Sequence, residues 1–201
     1  MTNVLQRAVT PPSRFTQAAI GWQPWLEPVP VDELDDHRLD ALVDAARAKS
    51  DYFRLLVHDP GILKARTLTD NDIFYNPDAG LPRGERELAA AATSRFNGCI
   101  FCASVHARFA SHFLDQPDDV QRLLDEGVTA EVEPRHAAII EAAVALARTP
   151  VAFGRSHVEA LRAVGLDDQA IADLVHAAAF FNWANRLMLS LGEPDATGVE
   201  V

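Results

Sequence analysis

Basic residues are scarce in this chain. Its 201 residues carry 18 Lys and Arg against 29 Asp and Glu, a formal charge of -11. A surface of that sign repels polyphosphates and anionic headgroups, which argues against nonspecific nucleic-acid or membrane binding. Long apolar runs are missing too: the longest, such as residues 137–147, are interrupted by charge and too short to span a bilayer. The opening MTNVLQRAVTPPSRFTQ holds no apolar run that could serve as a signal peptide. Together these absences predict a soluble, cytoplasmic protein. Strand-like alternation is also absent, and no stretch suits a βαβ unit. Cysteine is limited to two residues. In a reducing compartment a lone Cys-x-x-Cys points to catalysis or metal binding rather than to a structural disulfide.

Hydrophobic residues make up 48% of the chain, enough for an ordered core, and the length suits one domain over 1–201. Residues 1–31 read as an irregular arm with Pro11, Pro12, Pro24, Pro28 and Pro30. The arm also carries Phe15, Ile20, Trp22, Trp25 and Leu26, which a solvated linker would not. It either packs on its own body or reaches a neighbouring subunit, and the number of apolar residues favours the second. Beyond Val31 the pattern is helical. Leu34, Leu39, Leu42, Val43 and Ala46 keep a helical spacing, and Asp51 can cap a short helix that Asp59-Pro60-Gly61 ends. Helices are further expected over 62–68, 83–96, 99–114, 117–126, 133–148, 157–164 and 168–191, with a loop over 76–82. The fold class is all-α, with a helical core over 51–191.

Both cysteines fall in NGCIFCASVH, residues 97–106. On a helix Cys99 and Cys102 lie about 60° apart and Cys102 and His106 about 40° apart, so all three share a face. Cys99 follows Gly98 at the helix start, where unpaired N–H groups favour an anion. The thiolate is the reactive form of cysteine, and a sulfenic acid on one thiol can be captured by the other. His106 is placed to take a thiol proton. The Asn97-Gly98 break folds the preceding helix back, so Glu87 reaches the same face across an alanine-rich contact, with Glu85 as the competing carboxylate. Redox chemistry competes here with zinc: Cys99, Cys102 and His106 could be joined by Glu87 or His112, although no second Cys/His pair exists. It competes also with buried, inert thiols.

The spacing Glu87, eleven residues, Cys99-Ile-Phe-Cys102, three residues, His106 resembles the signature of the alkylhydroperoxidase D-like family within the carboxymuconolactone decarboxylase superfamily. The lead-in LPRGEREL and the later helix with Phe181-Asn182 and Asn185-Arg186 are similar as well, over about residues 51–191. The arm with GWQPWLEPVP resembles the peroxidase-related subgroup. The resemblance implies an all-α alkylhydroperoxidase D-like bundle and a homo-oligomer. It further implies a thiol-dependent peroxidase or disulfide reductase of antioxidant defence that needs no cofactor or metal. Cys102 matches the peroxide-attacking cysteine, Cys99 the resolving one, His106 the histidine serving the thiol and Glu87 the end of the proton relay. A small-molecule hydroperoxide is the implied substrate and an external dithiol protein the reductant. One departure stands out: Phe101 replaces a second histidine between the cysteines. The alternative is a non-redox binding protein or lyase on the same scaffold, although the decarboxylase branch lacks the cysteine pair. His37, His58, His136, His157 and His176 read as surface or satisfied core residues, and Asn185-Arg186 as a buried packing pair. Phe180, Phe181 and Trp183 read as core or interface, or with Phe101 as walls of an apolar pocket.

Overall fold

Acidic and polar residues start several of the helices. In the computed structural model, which describes residues 8–199, α1 (Asp36–Ala41) begins at Asp35, whose carboxylate accepts from the Arg38 N–H. The helix stops early, because Val43 adopts a left-handed φ of 65°, which a β-branched residue rarely takes. A short 3-10 turn follows at Ala45–Lys49, then α2 (Asp51–Leu56), for which Ser50 rather than Asp51 is the cap residue. α3 (Pro60–Tyr75) is one 16-residue helix. This corrects the expectation that Asp59-Pro60-Gly61 closes a helix before another resumes at Ile62. Proline is tolerated at a first helical position, and the Asp59 carboxylate accepts from the Ile62 N–H, so the triplet opens the helix. α4 (Arg83–Asn97), α5 (Ile100–Phe113), α6 (Pro117–Glu126), α7 (Pro134–Ala147), α8 (Arg155–Ala163) and α9 (Asp168–Leu191) complete nine α-helices among the described residues.

The all-α class holds, with one correction. β1 (Gly21–Pro24) and β2 (Gly192–Asp195) pair antiparallel, with Trp22 opposite Pro194 and Gln23 opposite Glu193. Neither GWQP nor GEPD alternates apolar and polar residues, so nothing local announces a strand. Pairing between the arm and the tail creates it. Trp22 is buried edge-on against Tyr52, with ring centroids 5.6 Å apart. Arg108 Nη1 donates to the carbonyls of Gln17 and Ala18 at 3.0 and 2.9 Å. The arm is therefore seated on its own chain here, while Trp25 and Leu26 stay exposed. Its first seven residues, where an apolar leader would begin, lie outside the described residues. Among those described, no helix is long and apolar enough to cross a membrane.

α4 is the central helix, packed by α5, α7 and α9. Every residue from Gly84 to Ser94 is buried. Ala89, Ala90, Ala91 and Ala92 let the neighbours approach to methyl distance, and burying Leu88 contributes about 1.5–3 kcal/mol. Gly84 is required by closeness: a Cβ there would lie 2.8 Å from Leu114 Cδ2. The charged residues of α4 are buried with partners, as buried charge demands. Arg86 donates to the Ile73 and Asn76 carbonyls, and Glu85 takes a bidentate pair from Arg135 at 2.5 and 2.8 Å.

Candidate active site

The turn between α4 and α5 sets the site. Gly98 adopts a left-handed φ of 79°, its N–H donates to the Arg95 carbonyl, and the Cys99 N–H donates to the Ser94 carbonyl at 3.0 Å. This is a Schellman closure, and the left-handed position is one that glycine takes without strain. The chain reverses at once, so Cys99 becomes the N-cap residue of α5, one position earlier than its expected place in the first turn. Cys102 and His106 follow on the face that meets α4. There Glu87 Oε2 lies 2.6 Å from His106 Nδ1. Arg83 Nε donates to the other oxygen of Glu87 at 3.3 Å. The imidazole is gripped by Phe181 and Phe74, at centroid distances of 3.9 and 5.2 Å. With Nδ1 tied to the carboxylate, Nε2 is the nitrogen left for other chemistry. Glu87 is thus brought to the site, and its competitor Glu85 is turned away to Arg135.

Both cysteines are buried free thiols. The Cys102 thiol is the main group that holds the Cys99 thiol below its ordinary range; burial opposes it, and the Cys102 N–H and Asn185 amide assist. The Cys102 thiol is pushed well up by Cys99 and by burial, with Asn185 and the Arg66 guanidinium pulling the other way. The pair therefore accommodates one negative charge and resists a second. Asn185 is the residue that reading the sequence as helix packing missed. It is fully buried, its Nδ2 donates to Ser94 Oγ at 3.0 Å, and its Oδ1 accepts from Asn97 Nδ2 at 3.1 Å. Two asparagines three apart on an apolar helix, Asn182 and Asn185, were the available signal: Asn97 bonds both. Its neighbour Arg186 is exposed, which corrects the reading of the two as a buried pair. Asn185→Leu removes a donor that favours thiolate on either sulfur. Its first thiolate is expected to appear at higher pH than in the wild type, as thiolate ultraviolet absorbance against pH will show.

A cavity of about 270 Å³ opens beside these groups. Cys102, His106 and Glu87 line it, while Cys99 does not; Phe101 and Phe181 supply part of an otherwise mostly apolar wall. His112 and His176 are exposed and line no part of it, and His136 is a core residue satisfied by Asp119 at 2.8 Å. No three His, Cys, Asp or Glu side chains converge as metal ligands among the described residues. The zinc reading of Cys99, Cys102, His106 and Glu87 is disfavoured by that geometry, since Glu87 is spent on His106.

Residues 60–145, which span α3 to α7 and contain Glu87, Cys99, Cys102 and His106, match a known sequence family. It is the Carboxymuconolactone decarboxylase family. The likeness read from the spacing of those four residues is thereby shown for this segment, and α9 with Asn185 lies beyond it. In structure, the chain is similar to an alkylhydroperoxidase AhpD core, a peroxidase-related protein from Ralstonia eutropha JMP134. That protein is 25% identical, with a TM-score of 0.68 over 82% of this chain and 88% of the other. A peroxidase-related protein from Silicibacter sp. TM1040 is 22% identical, with a TM-score of 0.69 over 96% and 99%. The debrominase Bmp8 in complex with 2,3,4-tribromopyrrole shares the fold at 15% identity, with a TM-score of 0.60 over 82% and 87%. No curated protein matches the chain in sequence. The scaffold is that of peroxidase-related and carboxymuconolactone decarboxylase-like proteins.

Proposed function

We propose that this protein is a thiol-dependent hydroperoxidase that cycles its Cys99–Cys102 pair between dithiol and disulfide. One observation carries the reading. Cys102 faces the apolar cavity in company with an imidazole whose Nδ1 is held by a buried carboxylate, and a second thiol sits one turn behind. The single charge of the pair prefers Cys99, yet the sulfur at the cavity is Cys102. A proton passed from Cys102 to the Cys99 thiolate moves that charge to the cavity. Cys102 then attacks the outer peroxide oxygen, the O–O bond breaks, and the alkoxide leaves as alcohol with the proton that His106 took when the pair first ionised, the imidazole being steadied by Glu87. The Cys102 sulfenic acid is attacked by Cys99, forming the disulfide and releasing water. Two electrons have gone from two thiols to one hydroperoxide, and an external dithiol protein returns them. Phe101, in the place of a second histidine, adds apolar wall rather than a proton carrier, which suits organic hydroperoxides. The test is a titration. One equivalent of cumene hydroperoxide is expected to remove both thiols and leave an intramolecular disulfide that a dithiol reverses. Retention of both thiols would sink the proposal in favour of a non-redox binding or lyase role.

A further inference from the structure

The cavity wall also carries two polar groups that none of these steps touches, Arg66 acting on Cys102 only through its charge. Arg66 on α3 has a side chain only 8% exposed. Its Nη1 donates to Asp70 Oδ2 at 3.3 Å, and its Nε is buried with no hydrogen-bond partner. The guanidinium is held over the rings of Phe180, Phe53 and Tyr52, with its carbon 5.3, 5.6 and 6.0 Å from their centroids. Tyr52 on α2 is buried, and its hydroxyl has no well-formed hydrogen bond. Burial raises its pKa to about 12, so it is a fixed phenol donor. Buried donors are rarely left unpaired in a native protein, and two of them on one cavity wall call for an acceptor that arrives with a ligand. Arg66 and Tyr52 both line this cavity together with Cys102.

We infer that Arg66 and Tyr52 anchor the carboxylate of a small organic hydroperoxide, and that the aromatic walls hold its ring or alkyl body against Cys102. The inference rests on the peroxidase reading for the reacting end of the molecule and on the cavity for the other end. A planar carboxylate matches the guanidinium edge that Asp70 leaves free. Asp70, which also lines the cavity, already balances the single charge of Arg66. The carboxylate is therefore held by the hydrogen bonds of the free guanidinium edge and the phenol rather than by net charge, and a dianion is disfavoured. The apolar remainder of the wall, with Phe53, Phe74, Phe101, Phe181 and Met188, suits a hydrocarbon body. At about 270 Å³ the cavity sits just below the usual span of ligand pockets, about 300–1,000 Å³, so the body is about one ring in size.

The experiment compares three oxidants on the reduced protein: hydrogen peroxide, cumene hydroperoxide and para-carboxycumene hydroperoxide. The carboxylate is expected to raise the second-order rate of thiol loss over cumene hydroperoxide by about 10- to 100-fold, as one charged hydrogen-bonded contact would. That ratio is expected to fall towards one in Arg66→Met, to fall by severalfold in Tyr52→Phe, and to survive in part in Arg66→Lys. Equal wild-type rates for the two cumene compounds would overturn the inference. So would an Arg66→Met variant that slows hydrogen peroxide and para-carboxycumene hydroperoxide alike, because Arg66 would then serve only the thiolate. If no oxidant consumes thiols, the peroxidase reading fails by itself. Calorimetry with unreactive para-isopropylbenzoate against para-isopropylbenzamide then decides the anchor: tighter binding of the acid sustains it, and equal binding ends it.

Discussion

Cys102→Ser is expected to abolish hydroperoxide reduction, while Cys99→Ser is oxidised once and stops at a sulfenic acid that dimedone traps. The asymmetry follows from position. Cys102 lines the cavity and Cys99 does not, so only one sulfur can meet an organic oxidant. Electrostatics pulls the other way, since the thiol held down is Cys99 and the one pushed up is Cys102. Access decides, because a thiolate that cannot touch the O–O bond contributes nothing to its cleavage, and a proton shift within the pair is a small step beside that barrier. Mass spectrometry of the dimedone adducts reads both variants. An adduct on Cys99 in Cys102→Ser, with Cys99→Ser inert, would reverse the two roles.

Glu87→Gln is expected to slow oxidation of Cys102 by about 10²–10⁴-fold, the usual contribution of a general acid–base group. The glutamine keeps the shape and can still accept from Nδ1, so what is lost is the charge that supports an imidazolium. Glu87 is 1% exposed and its two oxygens are divided between His106 and Arg83, so bulk solvent does not screen the loss of that charge. Arg83 stays housed, since its guanidinium carbon lies 4.3 and 4.4 Å from the centroids of Tyr75 and Phe113. Glu85→Gln is the matched control. It removes a buried charge from the same helix but one aimed at Arg135, so it is expected to cost stability and to spare the oxidation rate. Stopped-flow thiol oxidation on the two variants separates them: equal rates for wild type and Glu87→Gln would remove Glu87 from the mechanism.

Much of the fold was legible because it depends on short-range signals. Pro117, Gly127, Asp167 and Gly98 sit at helix ends for local steric and hydrogen-bonding reasons, and the helices they bound appear where the pattern places them. Errors arose where a local signal had two meanings. Asp59-Pro60-Gly61 stops a helix or starts one, and the Asp59 carboxylate on the Ile62 N–H, with Pro60 at the first position, makes it the second. The β1–β2 ribbon joins residues about 170 positions apart, beyond the reach of any pattern in four residues.

The sequence by itself determined the turn at Asn97-Gly98, the shared face of Cys99, Cys102 and His106, and the return of the preceding helix, with its two carboxylates, towards them. All of these follow from helical period and one left-handed glycine. Tertiary structure alone decided which carboxylate serves the site. Glu85 and Glu87 look alike in RGERE, and both are buried because α4 is enclosed by α5, α7 and α9. A buried charge must find a partner, and two positions along a helix turn the side chains by about 200°, so one meets Arg135 and the other His106. Asn185, Arg66 and Tyr52 were hidden for the same reason. They come from α9, α3 and α2, and packing of these helices around one cavity is what brings them to the thiols.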